Sequence, residues 1–126
     1  LVVPVIINAD QKGLSTISNE IQTFSENARN NQLSPADLRG GTFTITNLGM
    51  FGIENFDAVI NPPHGAILAV GAGVQKPVVQ ADGTLGVATV MSVTLSVDHR
   101  VIDGALGAQL LAAIKDGLEN PLALLA

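Results

Sequence analysis

A neutral imidazole at pH 7 can take a proton from a hydroxyl or thiol as it attacks, and this chain holds two histidines, His64 and His99. His99 is the stronger candidate for such acid–base work. It stands in Ser96-Val97-Asp98-His99-Arg100-Val101-Ile102-Asp103-Gly104, where an alternating pattern gives way to a helical one. Val93, Leu95 and Val97 are apolar while Thr94 and Ser96 are small and polar, which is the period of a half-buried strand. His99 falls in phase with the apolar set, so a strand that kept its register would aim the ring toward the protected side. The alternative is a structural histidine satisfied at a strand end. Asp103 reads either as a carboxylate that orients the histidine or as the N-cap of the helix that follows. Arg100 reads as a solvated or ion-paired neighbour.

The other half of such a site is a donor for developing negative charge. Thr46, at the end of an alternating stretch and followed by Asn47 and Gly49, is suitably placed, although a threonine in a strand is ordinarily structural. His64, after Pro62-Pro63, reads as a surface or loop histidine. Gly40-Gly41 and Gly71-Ala72-Gly73 read as turns. Neither has the Lys-Ser/Thr or the strand, Gly-rich turn and helix order that phosphate binding needs.

The elements that must position these residues follow from periodicity. Residues 2–7 form a nearly continuous apolar run that reads as an interior strand, with Pro4 favouring an edge or a bulge. Leu14, Ile17, Ile21, Phe24 and Ala28 recur at helical spacing and predict an amphipathic helix over about 13–30. Ser34 then caps a short helical turn with Pro35 in its first position. Residues 42–46 predict a strand with Phe43 and Ile45 on one face and the threonine hydroxyls on the other. Residues 47–63 read as a loop whose Met50, Phe51, Ile53 and Phe56 should pack against something. Residues 66–70 and 74–80 predict short buried strands, and Asp82-Gly83 a hairpin turn into a long strand over about 85–98. A helix over about 104–119 carries Leu106, Leu110, Ile114 and Leu118 on one face, Asn120-Pro121 stops it, and an apolar tail follows over 122–126.

Composition narrows the classes. With 126 residues, 47% of them hydrophobic and 13% charged, the chain has the makings of one folded domain. Its apolar surplus suits subunit contacts, and no apolar run approaches the length of a membrane span. A formal charge of -5, no basic stretch, and no Trp or Tyr argue against nucleic-acid binding. Zero cysteines remove disulfides and thiolate nucleophiles, and two separated histidines without metal-spaced carboxylates give a metal site little support. The chain opens at Leu1 in what reads as the middle of a strand, so the front of the natural protein is expected to lie before it.

His99-Arg100-Val101-Ile102-Asp103-Gly104 resembles the signature of the acyltransferase (E2) components of 2-oxo acid dehydrogenase complexes, whose catalytic fold is shared with chloramphenicol acetyltransferase. The resemblance extends over essentially the whole chain. Pro4-Val5-Ile6, Lys12-Gly13-Leu14, the run from Gly40-Gly41 through Thr46-Asn47-Leu48-Gly49, Asn61-Pro62-Pro63, residues 66–71 and residues 91–96 all fall in family order. Met50-Phe51-Gly52-Ile53 followed by Asn55-Phe56 is similar to the pyruvate-type acetyltransferases more than to the succinyl or branched-chain types.

The resemblance implies an α/β, two-layer α+β fold with a mixed sheet and packed helices. It implies that residues 1–126 are the C-terminal half of a single catalytic core domain, with no lipoyl or peripheral-subunit-binding domain in the chain. The implied reaction moves an acetyl group between a dihydrolipoyl arm and coenzyme A as co-substrate, with the lipoyl group carried on another domain and no metal. Carried over by position, His99 would be the general base on the coenzyme A thiol, Thr46 the donor to the tetrahedral oxyanion, and Asp103 a holder of the loop around the histidine. Coenzyme A contacts stay unassigned, and no role carries onto His64, where family members often have Gln or Glu. A homotrimer building a larger core is implied, with His99 and Thr46 from different chains and the E1 and E3 components engaged by domains outside this chain. The implied compartment is the cytoplasm in a bacterium or the mitochondrial matrix in a eukaryote. A non-catalytic scaffold homologue, an inactive fragment and an antibiotic acetyltransferase are the alternatives. The presence of His99 argues against the scaffold, and the lack of an aromatic-rich pocket against the drug-modifying enzyme.

Overall fold

The computed structural model describes residues 1–125, in two compact units, Leu1–Thr42 and Phe43–Ala126. The first unit is built on helix α1, Leu14–Arg29, whose half-buried face carries Ile17, Phe24 and Ala28. Lys12 grips Glu20 at 2.7 Å and ties the approach segment to the helix. Ser34 and Asp37 form a reciprocal capping box around the 3-10 turn Pro35–Leu38, with the Asp37 carboxylate accepting from the Ser34 amide at 2.8 Å. Those bonds, the backbone one first, hold the Asp37 carboxyl below the usual carboxylate range.

The sequence predicts a strand over residues 2–7, and none forms. Pro4 has no N–H to give, and the segment's bond to the rest of its unit is from the Val5 amide to the Asp37 carbonyl at 2.8 Å. A strand needs a partner offering alternate donors and acceptors along its length, and the first unit contains no strand at all among its described residues. Val2, Pro4 and Ile6 instead lie along a shallow groove with Ile21, Phe24 and Ala28.

The second unit contains a three-stranded mixed sheet of β1 (Phe43–Asn47), β2 (Ala66–Val70) and β5 (Val93–Val97). β2 lies in the middle, parallel to β1 and antiparallel to β5, with Thr46 opposite Ala69 and Ala69 opposite Thr94. Ala66, Ile67, Leu68 and Ala69 are all buried, because a central strand of small and branched apolar residues is covered on both faces. Side chains alternate between faces, so Thr44, Thr46, Ile67, Ala69, Thr94 and Ser96 share one face and Phe43, Ile45, Leu68 and Val97 the other. Residues 48–65 cross over the threonine face, where Thr94 donates to Asn55 at 3.1 Å and Thr44 meets His64 at 2.6 Å. Helix α2, Gly104–Glu119, lies against the opposite face, with buried Gly107 facing Val97.

β3 (Val74–Val79) and β4 (Leu85–Val90) form a separate antiparallel hairpin. Its turn is held by the Asp82 carboxylate, which accepts from the Thr84 hydroxyl at 2.6 Å and from its amide at 3.0 Å; these bonds lower the Asp82 pKa. Two expectations are corrected here. β3 is largely exposed, since it belongs to a two-stranded hairpin in which its one neighbour is β4. The single long strand expected over 85–98 is two strands, broken at Met91-Ser92, where the chain leaves β3 for β2 and Ser92 accepts a bond from the Gly71 amide at 2.9 Å. A change of partner sheet leaves no trace in hydrophobic alternation.

The crossing segment also differs from expectation. Phe56 is half-buried, but Met50 and Phe51, on the 3-10 turn Gly49–Phe51, stand exposed. The return of this segment is fixed by Ala72 donating to Ile53 at 2.7 Å. Gly71 has to be glycine there, because a side chain would run into the Glu54 backbone carbonyl. On α2 the half-buried positions are Leu111, Ile114 and Gly117 beside buried Gly107, while Leu106, Leu110 and Leu118 are exposed. Of the face expected from Leu106, Leu110, Ile114 and Leu118, Ile114 alone packs. α2 ends at Asn120 and a short helix α3, Pro121–Leu124, follows, so the expected stop at Asn120-Pro121 is a bend between helices. Ala126, the last residue of the expected tail, lies outside the described residues.

Candidate active site at the strand–helix switch

β5 stops at Val97, and the next residues turn instead of continuing the strand. Asp98 organises this turn with three sets of bonds. Its amide donates to the Gly65 carbonyl at 2.8 Å, and its own carbonyl accepts from Val101 at 3.0 Å and Ile102 at 2.9 Å. Its carboxylate accepts from the Arg100 amide at 3.0 Å and from the guanidinium, Nη2 to Oδ2, at 2.7 Å. The Arg100 side chain, then its amide, holds the Asp98 carboxyl down at about 2 and raises the Arg100 pKa in turn. An aspartate that bonds the amide two residues on is a common turn device. That is the local signal by which Asp98, missing from the sequence-based candidates, could have been found.

His99 rides at the second position of this turn and is exposed. This corrects the expectation that it faces the protected side, since the turn ends the strand's register two residues before it. Its ring is presented outward from a backbone pinned at both ends. The far pin is Asp103, which caps α2 by accepting from the Leu106 amide at 2.8 Å, while its carbonyl accepts from Gly107 at 3.0 Å. The cap fixes where the helix begins and hence how the turn closes. No side-chain bond between Asp103 and His99 forms, so of the two sequence readings of Asp103 the cap is the one observed.

Thr46 is half-buried on β1 and is not brought near His99. Two strand spacings of about 5 Å separate their strands, and Thr46 lies three residues, about 10 Å, from the end of the sheet where His99 turns away. Beside it the Asn47 side chain accepts from the Gly49 amide at 2.8 Å and shapes the start of the crossing segment. Within one chain, therefore, the candidate base and the candidate oxyanion donor occupy opposite ends of one sheet.

Of the sequence reading of His64 as a surface or loop histidine, the loop holds and the surface does not, since the residue is 8% exposed. It follows the cis Pro62-Pro63 peptide, and its Nδ1 lies 2.6 Å from the hydroxyl of Thr44, itself 6% exposed. The partner is twenty positions earlier in the chain, on β1, so no local pattern could announce it. Among the described residues no group of three or more His, Asp or Glu side chains is gathered to hold a metal ion.

A family model described as 2-oxoacid dehydrogenases acyltransferase (catalytic domain) matches residues 1–126. The chain is 50% identical over 121 residues to the dihydrolipoyllysine-residue acetyltransferase component of the pyruvate dehydrogenase complex of Rickettsia bellii, covering 96% of this chain and 29% of that protein. It is 50% identical over 127 residues to the mitochondrial counterpart from Dictyostelium discoideum, covering 99% of this chain and 20% of that protein. Among solved structures, a probable dihydrolipoamide acetyltransferase from Listeria monocytogenes matches with a TM-score of 0.89 and 43% identity, over 94% of this chain and 50% of that one. Azotobacter vinelandii dihydrolipoamide acetyltransferase, from a crystallographic and enzymatic study of a serine, a histidine and an asparagine in its catalytic mechanism, matches with a TM-score of 0.93 and 36% identity, over 99% and 51%. The chain thus spans less than a third of these curated relatives and about half of these solved chains. With its mixed sheet, its capped strand–helix turn and a family match from end to end, the chain belongs to the 2-oxoacid dehydrogenase acyltransferases and lies within their catalytic domain.

Proposed function

We propose that residues 1–126 are the C-terminal half of an acetyltransferase catalytic domain that exchanges an acetyl group between a dihydrolipoyl thiol and coenzyme A. The observation that carries this is the His99 turn, an exposed imidazole on a backbone pinned by Asp98 and by the Asp103 cap. In the Azotobacter enzyme the histidine and asparagine under study are four residues apart, as His99 and Asp103 are here. Its serine precedes its histidine by 52 residues, and Thr46 precedes His99 by 53. Aspartate in place of that asparagine suits the capping bond equally well.

In the proposed reaction His99 takes the proton of the coenzyme A thiol as the sulfur attacks the acetyl carbonyl carbon of the lipoyl thioester. A thiol of pKa about 8.5 is mostly protonated at pH 7, so a base in contact with it raises its reactivity. The carbonyl oxygen becomes an oxyanion that the Thr46 hydroxyl stabilises, which is worth about 3 kcal/mol in comparable sites. The tetrahedral intermediate then collapses, breaking the bond to the lipoyl sulfur, and the proton held by His99 passes to the leaving thiolate. No metal enters this scheme.

Because one chain holds His99 and Thr46 apart, the proposed site forms between copies, with His99 from one and Thr46 from the next. A closed homotrimer contributing to a larger core meets that need, with coenzyme A and the lipoyl arm entering at the boundary. The E1 and E3 components would be engaged through other domains. The compartment would be the bacterial cytoplasm or the mitochondrial matrix. The test is to co-assemble full-length chains carrying His99→Ala with full-length chains carrying Thr46→Ala. Each assembly alone should be nearly inactive, and random mixing should restore about a quarter of the sites, those that draw both intact residues from different chains. Parent-level transfer by the His99→Ala assembly alone would refute the proposal.

A further inference from the structure

We propose that His64 is a positioning residue for His99, clamped to β1 through Thr44 and acting on the His99 turn through Gly65; this rests on the reading of His99 as the general base. The two histidines are joined by a short path of contacts. Thr44 Oγ1 and His64 Nδ1 are 2.6 Å apart and both residues are buried. The His64 amide donates to Asn61 at 2.9 Å, so the ring and its own backbone are both fixed. The next residue, Gly65, accepts the Asp98 amide at 2.8 Å, the bond that sets the His99 turn against β2. A methyl group on Gly65 would lie 3.3 Å from Val101 and 3.7 Å from Ile102, so the far side of the same turn rests on that residue. The turn therefore sits on Gly65, the residue that follows the clamped His64.

The chemistry of the pair suits a strut. A threonine hydroxyl can either donate to or accept from an imidazole nitrogen, so the bond persists whichever ring nitrogen carries the proton. Removing one partner strands the other in a buried place, which costs more than the bond's net contribution. A turn displaced by even part of an ångström carries its base away from the attacking thiol, and small misplacements of this kind are expensive in rate. A plain packing role for His64 would lower stability alone, whereas a strut under the turn also affects the step in which His99 takes part.

The experiment is a mutant cycle in the assembled full-length protein, following acetyl transfer from acetyl coenzyme A to dihydrolipoamide. Thr44→Val, which keeps the volume and removes the hydroxyl, is expected to lower kcat about tenfold with KM for both substrates within about twofold. Thr44→Ser should restore kcat. In a His99→Ala background Thr44→Val should change nothing further, because the base it positions is gone. Parent-like kcat for Thr44→Val beside an inactive His99→Ala would overturn the positioning role alone. A tenfold fall persisting in the His99→Ala background would overturn it too, since the effect would then bypass His99. Full activity of His99→Ala would overturn both this inference and the proposed function. Where Thr44→Val does not assemble, His64→Leu takes its place in the same cycle with the same outcomes.

Discussion

The two histidine segments differ in every respect that bears on what a side chain can do. His99 is exposed on a turn whose backbone is pinned by Gly65, Asp98 and Asp103, and its ring is left to face outward. His64 is buried, and its ring is tied to a strand on the far side of the sheet centre. A base that meets a substrate needs a fixed backbone and an open ring, while a strut needs a fixed ring and no access at all. Sequence reasoning assigned the environments the other way round. The comparison teaches that a side chain's role follows from which of its parts the fold holds.

Removing each ring in the full-length protein separates the two roles. His99→Ala should cut kcat about 10²–10⁴-fold, the usual contribution of general acid–base catalysis. Stability should stay within about 0.5 kcal/mol of the parent, because the ring is exposed. Steady-state transfer and chemical denaturation of the same preparation report the two quantities. A large loss of stability with retained activity would reverse the roles assigned to the two rings.

His64→Ala should lower stability as well as kcat. It leaves a cavity and strands the buried Thr44 hydroxyl, and the expected cost is about 2–4 kcal/mol of unfolding free energy. Denaturant midpoints for His64→Ala, Thr44→Val and the double variant would show the coupling of the pair, and additive losses in the double variant would mean that the 2.6 Å contact contributes nothing of its own.

What the sequence revealed and what it hid separate along the same line. α1 at Leu14–Arg29, the Ser34 cap and the Asp103 cap were legible because each depends on residues within a turn or two of one another. β1, β2 and β5 were legible as strands because alternation and short apolar runs are local. Residues 2–7 show the same kind of run and form no strand, since pairing depends on a partner whose place in the chain no local run reveals. The break at Met91-Ser92 was hidden because β4 and β5 carry one continuous pattern while serving different sheets. At the site, His99, Thr46 and Asp103 were singled out from sequence, and the contact of His64 with Thr44 was not, because it joins residues on two elements. The exposure of Phe43 and Ile45 was equally hidden, as alternation marks two faces of β1 without saying which one the crossing segment covers.

A smaller effect is expected at the start of α2. Asp103→Ala removes a helix cap and should cost about 1 kcal/mol of stability. Asp103→Asn should restore it, because an amide oxygen accepts from the Leu106 amide just as well. If Asp103 served as a proton carrier, the asparagine variant would be as inactive as the alanine one, and a kcat measurement on both decides between the roles.

The smallest effect lies at the turn's outer edge. The Asp98 carboxyl is held at about 2, below its ordinary 3.8, chiefly by the Arg100 side chain and then by the Arg100 amide. A carboxyl whose folded pKa is depressed contributes its full stabilisation above the unfolded value and loses it as pH falls through the folded one. The Asp98–Arg100 pair should therefore hold the turn unchanged at pH 4 and above and release it between pH 4 and about 2. Carbon-detected NMR titration of the Asp98 carboxyl should place its midpoint near about 2, and Arg100→Gln should return it toward 3.8. Because Arg100 is almost fully exposed and the pair is screened by salt, that variant should leave transfer at pH 7 within about twofold of the parent. A much larger loss would mean that the guanidinium does more than brace the turn. No loss would leave the backbone bonds at Gly65 and Asp98, with the buried Thr44–His64 clamp behind them, as what keeps His99 in place.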